Sequence, residues 1–146
     1  MHVIICGGRD LVWSPAHSHY LDALHRRYTF LEVIVGSFRR DPDGYLRGAD
    51  AHAKAWAEHH GLNTTVMDAN WVGHGKSAGP RRNGRMLTYL MAISDSESIL
   101  LGVAPHEARL VIGFPGGRGT KDMLRRAERA GVSVLRYPAL EPETSR

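Results

Sequence analysis

The chain has 146 residues and a mass of 16.2 kDa, room for a single domain. With 42% hydrophobic and 23% charged residues it has the composition of a folded globular chain, and no apolar run approaches the roughly 18 residues that a membrane span needs. Its formal charge of +4 is too modest and scattered to mark a nucleic-acid surface, and its one cysteine, Cys6, excludes an internal disulfide and fits a reducing cytoplasm.

In chain order, residues 2–6 are a β-branched apolar run that ends at Gly7-Gly8. They read as a first strand rather than as the core of a signal peptide. A helix is predicted over 15–28, with Ser14 as cap, Pro15 in the first turn, and Tyr20, Leu21, Leu24 and Tyr28 at helical spacing. Residues 31–35 form a second strand. The next helix, 48–60, carries Ala49, Ala53 and Ala57 every four residues, small enough to pack close on a sheet, and Gly61 stops it. A third strand at 63–67, a third helix at 81–93, a fourth strand at 109–114, a fourth helix at 120–130 and a fifth strand at 132–137 complete the pattern.

Strands alternating with helices predict a Rossmann-like, doubly wound α/β domain over residues 1–137, with a five-stranded parallel sheet in the order 3-2-1-4-5. The strands are continuous apolar runs, as strands covered on both faces should be. Residues 37–47 (SFRRDPDGYLR) are too long and polar for an ordinary connection and read as a mobile flap or insertion. Residues 68–80 form a second long connection. Residues 94–107 read as a third excursion, disordered or part of an oligomer contact, and 138–146 as a flexible tail.

Two glycine clusters follow strands directly: Gly7-Gly8-Arg9-Asp10, and Pro115-Gly116-Gly117-Arg118-Gly119-Thr120. Glycine there lets the backbone turn sharply and approach a ligand, and the N–H groups opening the next helix suit phosphate. In the predicted strand order the clusters face each other across the crevice beside strands one and four, where open α/β sheets bind ligands. Neither cluster is a Walker A loop. The acidic residue that a dinucleotide fold places at the end of the second strand is missing, since Val35-Gly36 stands there, so a hydride-transfer NAD site is not expected. Arginine outnumbers lysine 16 to 3. A GC-rich coding sequence would produce the same bias, so only arginines beside the glycine turns are read as phosphate ligands.

Four motifs in order, Gly7-Gly8-Arg9-Asp10, Arg47-Gly48-Ala49-Asp50, the run from Trp71 through His74, Gly75, Gly79, Pro80, Arg82 and Asn83 to Met86, and Pro115-Gly116-Gly117-Arg118-Gly119-Thr120-x-Asp122-Met123, resemble the SLOG superfamily. The match is to its small single-domain YspA/YpsA-related branch of bacteria and phages, and it spans about residues 3 to 136. The resemblance implies a Rossmann-like domain that binds a nucleotide or an ADP-ribose-like molecule. It also implies ligand contacts at Gly7, Gly8, Arg9, Gly48, Arg82, Asn83, Pro115, Gly116, Gly117, Arg118, Gly119 and Thr120. The related LOG phosphoribohydrolases cleave nucleoside monophosphates with an arginine, here matched by Arg82, and a glutamate, whose position here is Met123. Methionine carries no acid/base chemistry, so binding, for sensing or sequestration, is expected ahead of hydrolysis.

Should hydrolysis occur, Arg82, Asp122 and Asp10 are the candidate catalytic residues. Asp10 and Asp122 read equally as cap or first-turn acids, and Asp50 reads rather as a first-turn acid favoured by the helix dipole. The nine histidines show no metal-ligand spacing, so neither metal nor cofactor is expected; His74, inside the third motif, is kept as a site candidate. Trp71 could stack on a base or anchor its loop. DNA binding ranks third, since no basic cluster is denser than Arg125, Arg126 and Arg129. Met86, Leu87, Tyr89, Leu90 and Met91 make the third helix apolar around much of its circumference, which points to a homodimer contact.

Overall fold

The structure, a computed structural model, describes residues 1–142. Five parallel strands, β1 (His2–Cys6), β2 (Glu32–Gly36), β3 (Asn63–Met67), β4 (Arg109–Gly113) and β5 (Val134–Arg136), form one sheet in the order β3-β2-β1-β4-β5. Ile4 lies between Ile34 and Val111 in register, and Cys6 opposite Gly113. Helices α1 (Pro15–Tyr28), α2 (Gly48–His59), α3 (Trp71–His74), α4 (Ala78–Leu101) and α5 (Arg118–Arg129) connect them. The doubly wound α/β expectation and its strand order hold.

Side chains alternate across the strands, so the central strands β1, β2 and β4 each feed two cores. Val3, Ile5, Val33, Val35, Leu110 and Ile112 meet Leu21 and Leu24 of α1 and Ala49, Ala53 and Trp56 of α2 on one face. Ile4, Cys6, Ile34 and Val111 meet Met86, Leu87 and Leu90 of α4 and Met123 and Leu124 of α5 on the other. Ala49, Ala53 and Ala57 of α2 are fully buried, which lets its backbone approach the sheet. No helix among the described residues is long and apolar enough to cross a membrane.

The largest departure from the sequence reading is α4, which begins at Ala78 and runs for 24 residues to Leu101. Residues 94–101, expected to be irregular, are helical. Ser94-Asp95-Ser96-Glu97-Ser98 has turn-forming composition, but its polar groups are spent within the fold. The Ser94 hydroxyl donates to the Leu90 carbonyl at 2.5 Å and that of Ser98 to the Asp95 carbonyl at 2.8 Å. Asp95 pairs with Arg109 at 2.8 Å, and Glu97 with His2. His2 in turn meets Glu32 at 2.7 Å, whose other oxygen accepts from Tyr89 and Thr65 at 2.6 and 2.5 Å. This network satisfies the buried Glu32 at the amino ends of the strands.

The apolar excess expected on the third helix is also absorbed. Met86, Leu87 and Leu90 are buried, and Tyr89 is tied to Glu32. Within 68–80, Asn70 caps α3 by accepting from the Gly73 amide at 2.9 Å, and a 3-10 turn at Gly75–Ser77 leads into α4. Near the C-terminus the Tyr20 hydroxyl donates to the Ala139 carbonyl at 2.7 Å; residues 143–146 of the expected tail lie outside the described residues.

Leu90 is fully buried between α4 and the sheet, so Leu90→Ala should cost about 2–5 kcal/mol in urea unfolding. A loss under about 1 kcal/mol would mean that α4 does not seal this core.

Candidate functional site

The crevice opens beyond the carboxyl ends of β1 and β4. It holds about 810 Å³, and both glycine turns line it. The turns nearly touch: the Gly8 amide donates to the Pro115 carbonyl at 2.8 Å, so Gly8 forms wall rather than an anion donor. A side chain at Gly116 would overlap the Thr120 hydroxyl, and one at Gly48, where φ is +86°, would run 2.6 Å from the Arg9 carbonyl. Gly117 and Gly119, by contrast, face open space. Gly117 precedes α5, and the Lys121 amide is the first to bond back into the helix, to the Gly117 carbonyl at 3.1 Å. The amides of Arg118, Gly119 and Thr120 are therefore the unpaired donors of a helix N-terminus. The Thr120 hydroxyl lies beside them, and Arg118 is exposed at the rim.

Arg82 enters from the first turns of α4. Its guanidinium lies against Gly36, where a side chain would displace it. The Val35-Gly36 end of β2 thus provides the arginine's seat. Its Nε donates to the Asn83 oxygen at 3.3 Å, but among the described residues no carboxylate comes within ion-pair distance. Burial pushes this guanidinium below its ordinary range, Arg9 and Arg85 add to that, and Asp50 is the main group that pulls it back. Asn83 is buried and fully engaged, since its amide donates to the Gly119 carbonyl at 3.1 Å and to Asp122 at 3.0 Å. It holds Arg82 and the start of α5 in fixed relation.

The carboxylates separate clearly. Asp122 is bound by Asn83 and by Arg126 at 2.9 Å, which straps α4 to α5. Asp10 is exposed and paired with Arg47 at 2.6 Å. Asp50, in the first turn of α2, faces the crevice and accepts no hydrogen bond from any described residue. Burial pushes it up to about 7, against the pull of Arg82 and then Arg9. Reading Asp50 as a first-turn acid ranked it below Asp10 and Asp122; its position opposite Arg82 emerges only when α2 and α4 meet across the sheet end. Cys6 lies beneath it, its thiol donating to the Ile112 carbonyl at 3.6 Å, and burial raises it far above reactivity. Met123 is almost wholly buried among the α4 and α5 side chains.

Arg9 lies 5.4 Å over the Trp71 ring, and Trp71 packs on Gly79 at the crevice mouth. His74 is exposed and outside the crevice lining. No cluster of three or more metal-ligating side chains exists among the described residues.

The unfolded chain ionises Asp50 from about pH 4 upward, the folded chain only near pH 7. Wild type should therefore lose stability across that window relative to Asp50→Asn and level off above it. Melting temperatures of both proteins from pH 4 to pH 8 check this; a pH-independent difference would contradict the buried setting of Asp50.

No protein-family model matches the sequence, and no solved structure matches it. The sequence is 32% identical over 145 residues to the Gene 61 protein of Mycobacterium phage D29, covering 92% of this chain and 94% of that protein.

Proposed function

The chain belongs to the family of this phage Gene 61 protein, and we propose that it binds a nucleotide or nucleotide-derived phosphate ligand in the β1–β4 crevice, for sensing or sequestration. The observation that carries this reading is Arg82, a half-buried guanidinium without a carboxylate partner, facing the free amides that open α5. Charge left uncompensated in a partly desolvated crevice favours an anion, and a guanidinium with convergent N–H groups fits phosphate oxygens. The resemblance to SLOG proteins supports the same ligand class.

A second reading, N-glycosidic hydrolysis of a nucleoside monophosphate, has one observation in its favour: Asp50 is a free carboxyl group at the crevice. In that reaction water adds to the anomeric carbon, the base departs with a proton, and ribose 5-phosphate remains. Asp50 would supply the carboxylate that Met123 cannot. A homodimer also remains part of the proposal, its contact now carried by the exposed Ile99, Leu100 and Leu101 at the end of α4, inside the 94–107 segment, rather than by the buried Met86, Leu87 and Leu90. Light scattering at tens of micromolar should then give about twice 16.2 kDa; a monomer mass would remove this part.

Losing a charged hydrogen bond costs roughly 1.5–3 kcal/mol, so Arg82→Ala should weaken nucleoside monophosphate binding about ten- to a hundredfold. Gly117→Val, which fills the open approach to α5, should do as much. Calorimetry with the four common nucleoside monophosphates, followed by chromatography for released base, checks both readings. Equal affinity of wild type and Arg82→Ala would overturn the first, and absence of free base would remove the second.

A further inference from the structure

A second cavity, of about 1050 Å³, lies between the crevice and the segment at residues 37–47. The two share a wall that includes Arg9, Ser37, Asp50 and Trp71, so they form one trough from the start of α5 to that segment. Either cavity alone approaches or exceeds the upper size of a complete small-molecule site. A mononucleotide phosphate held by Arg82 leaves the outer half of this trough without a role.

We propose that the 37–47 segment builds a second anion subsite, and that the ligand is a small dinucleotide whose second phosphate is held there. The proposal rests on the reading of the inner crevice as a phosphate cradle. Four arginines line the outer cavity: Arg9, Arg39, Arg40 and Arg47. Among the described residues, only Arg47 has a carboxylate partner, Asp10. Arg40 donates to the Gly44 carbonyl at 2.9 Å, Arg9 stacks on Trp71, and Arg39 has no hydrogen-bond or ion-pair partner among the described residues.

The segment carrying these cations is internally braced. The Asp41 carboxylate accepts from the amides of Asp43 and Tyr45 at 3.1 and 2.9 Å, and its backbone closes onto Tyr45 and Gly44 at 3.0 and 2.9 Å. A preformed turn lowers the ordering cost of binding, and it spends the negative charge of Asp41 internally.

The order of charges along the trough selects the ligand. Arg82 lies at the inner end, Asp50 on the shared wall with Arg9, which is stacked on Trp71, and Arg39 at the outer end. Asp10, Asp41 and Asp68 also line the outer half, Asp10 paired with Arg47 and Asp41 engaged by the amides of its own turn. A free carboxyl group between two sets of guanidiniums suits sugar hydroxyls flanked by phosphates. A nucleoside triphosphate would instead press its phosphate chain against Asp50.

Calorimetry with wild type, Arg39→Ala and Arg82→Ala tests the proposal. The probes are the 5′-monophosphates of adenosine, guanosine, cytidine and uridine, their triphosphates, and the matching 5′-phosphorylated homodinucleotides. At least one dinucleotide should bind wild type tenfold or more tightly than its monophosphate. Arg39→Ala should erase that advantage and leave monophosphate affinity unchanged, while Arg82→Ala should weaken both. Monophosphate binding with no dinucleotide advantage, or equal losses for both ligands in Arg39→Ala, would overturn the second subsite and leave the inner cradle standing. A triphosphate that outbinds every dinucleotide would overturn the assigned charge order. Absence of binding by every probe would overturn both readings. A 5′-phosphorylated decanucleotide binding more tightly than any dinucleotide would overturn the free small ligand in favour of a strand end.

Discussion

Strands β1 and β4 lie side by side and parallel, yet the chain leaves them toward opposite faces of the sheet. From β1 it passes to α1, which packs with α2 on one face; from β4 it passes to α5, which packs with α4 on the other. That divergence opens the crevice, and the other features of the site follow from it. The two departing turns must pass within hydrogen-bond distance, as the Gly8 to Pro115 contact records, and side chains would separate them. The divergence also points the N-terminus of α5 into the gap.

Polar groups are satisfied away from the crevice and left open beside it. At the amino ends of the strands, His2, Glu32, Glu97, Thr65 and Tyr89 share one network. Between α4 and α5, Asn83, Asp122 and Arg126 saturate one another. At the crevice, burial pushes Arg82 down and Asp50 up, and neither has a charged partner in contact. Free charge of this kind weakens the unliganded fold, and the proposed phosphate ligand at Arg82 would offset the loss on binding.

The strands and the glycine turns were legible because each is written in consecutive residues. The apolar runs of β1, β2 and β4 and the Gly-Gly pairs after β1 and β4 need no distant partner to be recognised. The sheet order followed from alternation and the right-handed crossover rule. The last two turns of α4 were not legible. Ser94 to Ser98 carry loop-like composition, and they are helical because His2 and Arg109, distant in sequence, bond Glu97 and Asp95. The same limit hid the inner geometry of the crevice. Gly36 reads locally as a strand end without its acid, and only the packing of α4 makes it the seat of Arg82. Asp50, Asp10 and Asp122 are alike as strand-to-helix acids in sequence; their partners, set by tertiary contacts, divide one free carboxyl group from two engaged ones.

The central claim is that an anion is held between the start of α5 and Arg82. The most direct measurement is a nitrogen–proton correlation spectrum of the labelled protein during titration with nucleoside monophosphates. The amides of Arg118, Gly119 and Thr120 and the Nε–H of Arg82 should shift together, saturating on a single binding curve. Saturable shifts confined to other surfaces, with these four signals unmoved, would contradict the account.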